Sequence, residues 1–407
     1  MKNSIERFNI YILIYISLLV FFGIFFLFSK HEVGNDSSIS DWLINYSGGF
    51  VRRGIIGEIS IYISKLLEID LRDAIFFFQT VIFSSYYFLV YFFFKKIEFN
   101  RLVLLSVLSP IFILHPVAEI EILGRKELFI FFILILYYLL DVKNLLNQLI
   151  FKIILFPLAI LIWEPVVFFF TYLLFIDLIF FKVTKFDKKC FIVAFSYIFS
   201  FITISTIYLN PISEQDFQLM KETLLNNYNE ICYMSCSFVG NQLSNSFSEL
   251  LSIQSKLIKI EYVIRYILII VIGFFPLGIL LSISKLNFNY RKVIFLKKNH
   301  NLLIPFLILF IPSLLLFLLM YDWGRIVHIS YTFTILTFFL LYKKKIIHLN
   351  YESYFYDYIF KIKKSYFTLI FIIFCFGWNP KVVISDDVAS KPIYATPYKF
   401  YKYFIKN

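Results

Sequence analysis

The apolar segment Asn9–Ser29, NIYILIYISLLVFFGIFFLFS, decides the fold class of this chain. It carries no charged residue, and as a helix rising 1.5 Å per residue it is long enough to cross the roughly 30 Å hydrocarbon core of a bilayer. It follows Lys2 and Arg7 and lacks a small-residue cleavage site. The segment is therefore predicted to be a retained signal anchor whose N-terminus lies in the cytoplasm.

The composition of all 407 residues supports a membrane class. The chain is 60% hydrophobic and 16% charged, with 54 Phe and a mean hydropathy of +0.79. Since an average soluble domain carries about 25% charged residues, this composition excludes soluble, disordered and collagen-like proteins. The apolar runs are solid rather than alternating, which favours helices over a transmembrane β-barrel.

Ten further apolar runs follow the first one, at 74–94, 102–114, 128–140, 149–162, 166–181, 191–209, 264–284, 302–320, 329–342 and 366–378. They predict an all-α, polytopic membrane bundle of about 11 transmembrane helices, with residues 1–407 forming a single transmembrane domain. Several runs are shorter than the roughly 20 residues that cross a bilayer, so those helices are expected to be short or broken at the outer face.

The charges predict the orientation of the chain. Lys and Arg concentrate in the loops that the alternation of spans places inside, as the positive-inside rule requires. The N-terminus is therefore predicted to be cytoplasmic and the C-terminus periplasmic, with partly helical outer loops at 30–73 and 210–263. The inner loops also account for the net charge of +12, so no nucleic-acid partner is expected.

Cysteine and histidine are scarce, with four and five residues. No metal site and no cofactor is predicted from so few scattered ligands. Cys232 and Cys236 lie at helical spacing in the second large outer loop. They could pair in an oxidising compartment, and two free thiols are equally compatible with the sequence.

Four groups of polar residues are predicted to lie at the outer face: Asp41, Arg52, Arg53 and Glu58 in the first loop; His115, Glu119 and Arg125 in the next hairpin; Glu164 between Trp163 and Pro165; and Asp322, Arg325 and His328 in a short turn. Any of them could be a solvated residue at a span end. Glu164, however, interrupts an almost wholly apolar stretch, where an ionisable group is costly and suggests function.

Arginine donates two parallel hydrogen bonds to phosphate, so a basic site at this depth suggests a lipid with a phosphate or pyrophosphate head. The predicted phosphate clamp is Arg52, Arg53, Arg125 and Arg325. The predicted catalytic base is Glu164 or Asp322, with Glu58 as third choice. Asp41, His115, Glu119 and His328 are further candidates.

The segments GGFVRRGIIGE (48–58) and DWGRIVHI (322–329), with the eleven predicted spans, resemble the Wzy-type O-antigen and capsular polysaccharide polymerases. The resemblance implies polymerisation of polyprenyl-pyrophosphate-linked oligosaccharide units at the outer face of the bacterial inner membrane. It also implies a chain-length regulator and a flippase of the same pathway as partners. The arginine-glycine repeat of polymerases with two matched loops is absent.

Two alternatives remain open at the level of sequence. Membrane glycosyltransferases that use polyprenyl-phosphate sugars carry an acidic catalytic residue in the first outer loop, a role open to Asp41 or Glu58. A lipid-linked oligosaccharide flippase or other transporter would need charged residues along a central cavity instead. The chain has no P-loop, dinucleotide-binding glycine pattern or zinc-peptidase motif, so it offers no sign of nucleotide-driven transport.

Overall fold

The computed structural model describes residues 2–33, 37–95, 97–139, 145–240, 258–294, 296, 301–350, 361–383 and 389–390. Over these residues the chain is mostly helical with very little strand, so the all-α prediction is confirmed. The predicted outer loop 210–263 and the predicted periplasmic C-terminus lie partly outside the described residues.

The first half of the chain contains the α-helices α1 (Lys2–Val33), α2 (Ser37–Ser40), α3 (Gly54–Leu67), α4 (Leu71–Phe94), α5 (Arg101–Val107), α6 (His115–Ala118), α7 (Glu127–Leu139), α8 (Leu145–Ile162), α9 (Phe170–Phe180), α10 (Lys188–Phe195) and α11 (Ile198–Leu209). Short 3-10 helices cover Asp41–Leu43, Ile120–Ile122 and Glu164–Phe169.

The second half contains α12 (Glu214–Tyr228), α13 (Ser237–Gly240), α14 (Ile260–Ile283), α15 (Leu303–Leu319), α16 (Trp323–Lys343) and α17 (Lys364–Phe376), with a 3-10 turn at Phe288–Tyr290. Two small antiparallel sheets pair β1 (Ser284–Leu286) with β2 (Ile347–Leu349) and β3 (Asn379–Pro380) with β4 (Ala389–Ser390).

Five stretches of the described chain are helical, long and apolar enough to cross a membrane: Asn9–Glu32, Leu71–Phe94, Lys188–Leu209, Ile260–Ile283 and Trp323–Lys343. Shorter apolar helices cover Glu127–Leu139, Ile150–Ile162, Leu303–Leu319 and Lys364–Phe376. Helices of this length and composition are compatible with a helical membrane protein. The total of about eleven spans stays a prediction.

The predicted span 102–114 differs from a spanning helix. It is helical only over Arg101–Val107, and turns follow. Pro110 explains the break, because proline has no N–H to donate and disfavours helical geometry at Ser109 before it. The turn residues Ile111 and Phe112 are nevertheless fully buried. Irregular backbone of this kind is tolerated at membrane depth only inside protein.

Helix α16 is the centre of the bundle. Every residue from Trp323 to Leu341 is buried, and α7, α9, α14 and α15 pack around it. The outer helices expose large apolar side chains instead, such as Phe275 on α14 and Ile311 on α15. Such an apolar exterior matches a lipid surrounding.

The two ends of α16 differ in chemistry. At its C-terminal end, β2 pairs with β1, which directly follows α14, and Lys285 lies opposite His348. At its N-terminal end, Asp322 and Arg325 meet three other polar segments of the chain. The candidate site lies at this N-terminal end.

Candidate functional site

Charged side chains from four separate segments meet at one end of the bundle. We call this group the arginine cluster, and its members are Asp41, Arg52, Arg53, Arg125, Lys126, Glu127, Glu164, Asp322 and Arg325. Helices α3, α7 and α16 begin within the cluster. Since the N-terminal end of a helix carries partial positive charge, the backbone adds to the attraction that the cluster exerts on an anion.

Trp42 joins the first outer loop to the second polar hairpin. Its indole Nε1 donates a hydrogen bond of 2.8 Å to the carbonyl of Gly124. Gln79 of α4 donates to the same carbonyl and to that of Ser38, at 3.1 Å each. These bonds place Asp41, next to Trp42, beside the Arg125–Glu127 segment that follows Gly124.

Arg53 and Glu164 form the strongest ion pair of the cluster. Arg53 donates from Nε and Nη2 to the two oxygens of Glu164, at 2.6 and 2.8 Å. Arg52 reaches the same carboxylate more weakly, at 3.3 Å. Burial alone would raise the pKa of Glu164, but the two arginines outweigh it and lower that pKa. Glu164 is therefore ionised, and both of its oxygens accept hydrogen bonds from arginine.

Asp41 is the most unusual carboxylate of the described chain. Its side chain is 1% exposed, and neither of its oxygens has a hydrogen-bond partner. The nearest cations are Lys126 Nζ at 3.9 Å and Arg53 Nη1 at 4.0 Å. Burial favours a raised pKa, but the charges of Lys126, Arg53, Arg125 and Arg325 together lower it. Asp41 is thus ionised at neutral pH, and neither of its carboxylate oxygens accepts a hydrogen bond.

Lys126 is a fully buried cation at the centre of the cluster. Its Nζ donates a 2.7 Å hydrogen bond to the carbonyl oxygen of Arg53. Burial lowers the pKa of Lys126 to about 8, against the opposing effect of Asp41. Lys126 was not among the residues predicted from the sequence to form the site. Its position between Arg125 and Glu127 was the available signal, because such a dense run of charges between two apolar spans is costly.

Arg325 pairs with two carboxylates. It hydrogen-bonds Glu127 of α7 and forms an i,i+3 pair with Asp322 at 3.0 Å. Its guanidinium also lies over the ring of Trp163, 5.6 Å from the ring centroid. Burial raises the pKa of Asp322, although Arg125 and Arg53 oppose the shift.

Residues 229–240, which we call the strap, lie against two arginines of the cluster. The hydroxyl of Ser235 accepts a hydrogen bond from Arg125, and the carbonyl of Phe238 accepts one from Arg52, each at 3.3 Å. Glu230 anchors the strap to Arg72 of α4 by two bonds of 2.7 Å. Within the strap, Cys232 and Cys236 form a disulfide, which resolves the question that the sequence left open.

The remaining predicted residues lie at the edge of the cluster or outside it. Glu58 accepts a hydrogen bond from the backbone N–H of Tyr46 at 3.1 Å on an exposed face of α3. His115 and His328 stack edge to face at 5.1 Å in the interior, and His328 is hydrogen-bonded to the carbonyl of Ile111. Glu119 is buried just after α6.

A second buried ionic network lies at the other end of α8 and α9. Lys152 contacts Asp177 at 2.6 Å, and both side chains are fully buried. The hydroxyls of Tyr137 and Tyr197 donate to the two Asp177 oxygens at 2.7 and 2.6 Å. Because both carboxylate oxygens have partners, this network ties helices together and offers no open carboxylate oxygen to a ligand. Neither Lys152 nor Asp177 was predicted from the sequence to be a site residue.

The cluster fits an anion better than a metal ion. Over the described residues, no group of three or more His, Cys, Asp or Glu side chains is placed to hold a metal. Five cationic side chains surround the carboxylates instead. Phosphate oxygens are the ligands that forked guanidinium groups recognise best.

No family model, curated protein or solved structure matches this chain. A proposal of function must therefore rest on the chemistry of the arginine cluster.

Proposed function

We propose that this protein is a membrane glycosyltransferase that takes its sugar from a polyprenyl-phosphate or polyprenyl-pyrophosphate carrier. The supporting observation is Asp41, an ionised and buried carboxylate whose two oxygens lack hydrogen-bond partners among four cations. Burying an ionised carboxylate without hydrogen bonds costs free energy. Such groups are found mainly at functional sites, so the environment of Asp41 points to a role in function.

The proposed reaction uses both signs of charge in the cluster. Asp41 accepts the proton of an acceptor hydroxyl, and that oxygen attacks the anomeric carbon of the carrier-linked sugar. The bond between that carbon and the carrier phosphate oxygen breaks, and its electron pair leaves with the phosphate. Arg52 and Arg125 neutralise the charge that develops there, and Arg53 positions Glu164 beside them.

Asp41 suits the role of base better than the carboxylates favoured from sequence. Both oxygens of Glu164 already accept hydrogen bonds from Arg53, so a sugar hydroxyl would have to displace an arginine. Asp322 has one oxygen bound to Arg325 and a raised pKa. Glu58 points to the Tyr46 backbone instead.

The location of Asp41 favours one class of transferase over another. An acidic residue in the first outer loop is the feature expected of transferases that use polyprenyl-phosphate sugars. The resemblance of residues 48–58 and 322–329 to the polysaccharide polymerases supports a second candidate, the joining of whole oligosaccharide units. In that case a chain-length regulator and a flippase would be partners of this protein.

The strap supports the proposed location on the outer face of the bacterial inner membrane. A disulfide persists in the periplasm and is reduced in the cytosol, so Cys232–Cys236 favours a periplasmic strap and cluster. A transporter is less well supported. The buried Lys152–Asp177 pair, at the other end of α8 and α9, has both carboxylate oxygens occupied rather than facing a passage.

The test is an assay of the purified protein in nanodiscs with polyprenyl-linked sugar donors. We expect Asp41→Asn to lose about 100-fold or more in turnover, because it keeps the side-chain volume but loses the base. The matched control is Glu58→Gln, which neutralises an exposed carboxylate of the same outer region and should keep normal turnover. A ladder of products would indicate a polymerase, and a single added sugar a transferase. Full turnover by Asp41→Asn would refute the proposal.

A further inference from the structure

A cleft opens beside the arginine cluster, next to Arg52. It lies between three parts of the chain. The first outer loop contributes Val51 and Arg52, the end of α11 contributes Ile207 and the residues 210–212 that follow it, and the strap contributes Val239. The cleft is therefore assembled from the same segments that border the cluster.

The lining of the cleft combines a hydrocarbon surface with one cation. Val51, Ile207 and Val239 are apolar, whereas Arg52 brings a positive charge. A pocket with this composition is complementary to a ligand that has an anionic head and an apolar body.

Arg52 is the cluster arginine best able to change partners. Both of its hydrogen bonds measure 3.3 Å, one to Glu164 and one to the carbonyl of Phe238. Arg53, in contrast, is held by two short bonds to Glu164. A phosphate at Arg52 would replace a neutral carbonyl and a shared carboxylate with charge-assisted hydrogen bonds of its own.

The cleft lies at the end of the membrane span that is most exposed. Only 22% of the apolar window of Lys188–Leu209 is buried, a smaller share than in the other four long helices. Phe199, Phe201 and Ile202 of α11 are exposed. An isoprenoid chain lying against this face would place its head at the level of Asn210 and Arg52.

We propose that this cleft admits the polyprenyl phosphate carrier sideways from the bilayer, with the isoprenoid chain along α11 and the phosphate at Arg52. The inference rests on the proposed function, since it names the entry point of the same carrier. It also assigns Arg52 and Arg53 different tasks. Arg52 receives the phosphate, whereas Arg53 positions Glu164.

The experiment measures binding and needs no turnover. The probe is a sugar-free polyprenyl monophosphate, and its affinity for the full-length protein in detergent is measured by native mass spectrometry. The obstructing variant is Asn210→Trp, because Asn210 lines the cleft and is exposed. The control is Leu209→Trp, an equally large substitution at the adjacent residue, which is 72% exposed and does not line the cleft.

We expect Asn210→Trp and Arg52→Gln each to weaken binding about tenfold or more, and Leu209→Trp to bind as the unaltered chain does. Equal affinity of the two tryptophan variants would overturn the cleft assignment. Equal binding of phosphatidylglycerol or inorganic phosphate would also overturn it, because the site would then not select a polyprenyl carrier.

The experiments distinguish a wrong cleft assignment from a wrong assignment of function. Asp41→Asn lies outside the cleft and should bind the carrier normally while losing turnover. If Asp41→Asn retains turnover but Asn210→Trp loses binding, the catalytic role is refuted and the cleft stands. If Asn210→Trp binds the carrier normally but Asp41→Asn loses turnover, the cleft is refuted and the function stands.

Discussion

At the scale of single residues, neighbouring side chains of the same type have different surroundings. Arg53 has a left-handed backbone with φ of 63°, which costs a non-glycine residue about 1 kcal/mol. Its two short bonds to Glu164 offset that cost. Arg52 has long bonds and borders a cleft. The side chains therefore differ in function although both carry the same charge.

Lysine substitutions should separate the two arginines. Arg53→Lys keeps the charge but loses the fork that binds both Glu164 oxygens, so we expect a loss of about 2 kcal/mol in stability. Arg52→Lys should change thermal stability little and weaken carrier binding. Thermal unfolding and carrier affinity, measured on both variants, check this. A larger stability loss in Arg52→Lys than in Arg53→Lys would contradict it.

The lowered pKa of Lys126 predicts how the stability of the protein depends on pH. Its pKa of about 8 lies below the 10.5 of an unhindered lysine, so between these values the unfolded chain binds more protons than the folded chain. Stability contributed by this residue therefore rises as pH increases from about 8 to 10.5, by on the order of 3 kcal/mol in total. The difference in unfolding temperature between the unaltered protein and Lys126→Met should change across this window. A constant difference would contradict the lowered pKa of the buried Lys126.

The sequence could identify which residue types gather at the site but not how they pair. All four arginines predicted as a clamp belong to the cluster, because each lies where a polar segment interrupts apolar spans. Nothing in the sequence shows that Glu164 is bound on both oxygens while Asp41 is bound on neither. That distinction depends on contacts between distant segments, such as the Arg53–Glu164 pair and the Trp42–Gly124 bond, which join residues 111 and 82 apart in the chain.

At the scale of elements, one proline and one glycine show how a single residue ends a helix or lets two segments approach closely. Pro110 ends the predicted span 102–114 early, which the sequence could have indicated. The predicted turn YDWGRIVH is instead mostly helical, since α16 begins at Trp323. This helix start was hidden in the sequence because its polar residues are paired by distant partners such as Glu127.

Gly324 provides a test of this packing. A Cβ atom there would lie 1.8 Å from the carbonyl oxygen of Lys381, and the Gly324 N–H donates to Val382. We expect Gly324→Ala to cost about 1–3 kcal/mol, because the segment at 381–382 must move away. The control is Gly278→Ala on α14, where nothing lies within 4 Å of the added atom. Equal unfolding temperatures of the two variants would show that the close approach is absent.

The strap predicts a count of reactive thiols. With Cys232 and Cys236 bonded, only Cys190 and Cys375 remain free. Alkylation of the denatured protein should therefore modify two cysteines without reductant and four with it, as read by mass spectrometry. Four modified cysteines without reductant would show that the strap carries no disulfide.

At the scale of the whole molecule, the polar chemistry separates into two ends. The arginine cluster and the strap lie at the N-terminal end of α16, and the β1–β2 pair lies at its C-terminal end. The basic sequence Lys343–Lys345 is at this second end, as expected for a cytoplasmic surface. The two ends therefore favour the orientation predicted from sequence.

Reporter fusions test this orientation. A periplasmic phosphatase joined after residue 230, in the strap, should be active, and one joined after residue 290 should be inactive. The reason is that the phosphatase folds only where its own disulfides form. The reverse pattern would show that the protein has the opposite orientation, with the arginine cluster on the cytoplasmic side.

The buried position of α16 has a consequence for how the protein is made. The helix around which α7, α9, α14 and α15 pack begins at Trp323, after all four of them, so it leaves the ribosome later than they do. At about 5–20 residues per second, the first of the four, α7, which ends at Leu139, waits on the order of 10 to 40 s until α16 is complete at Lys343. During that interval their inward faces have no final neighbour, and an insertase or chaperone is the natural occupant. Biogenesis of this protein should therefore depend on such a helper more strongly than its hydropathy alone would suggest.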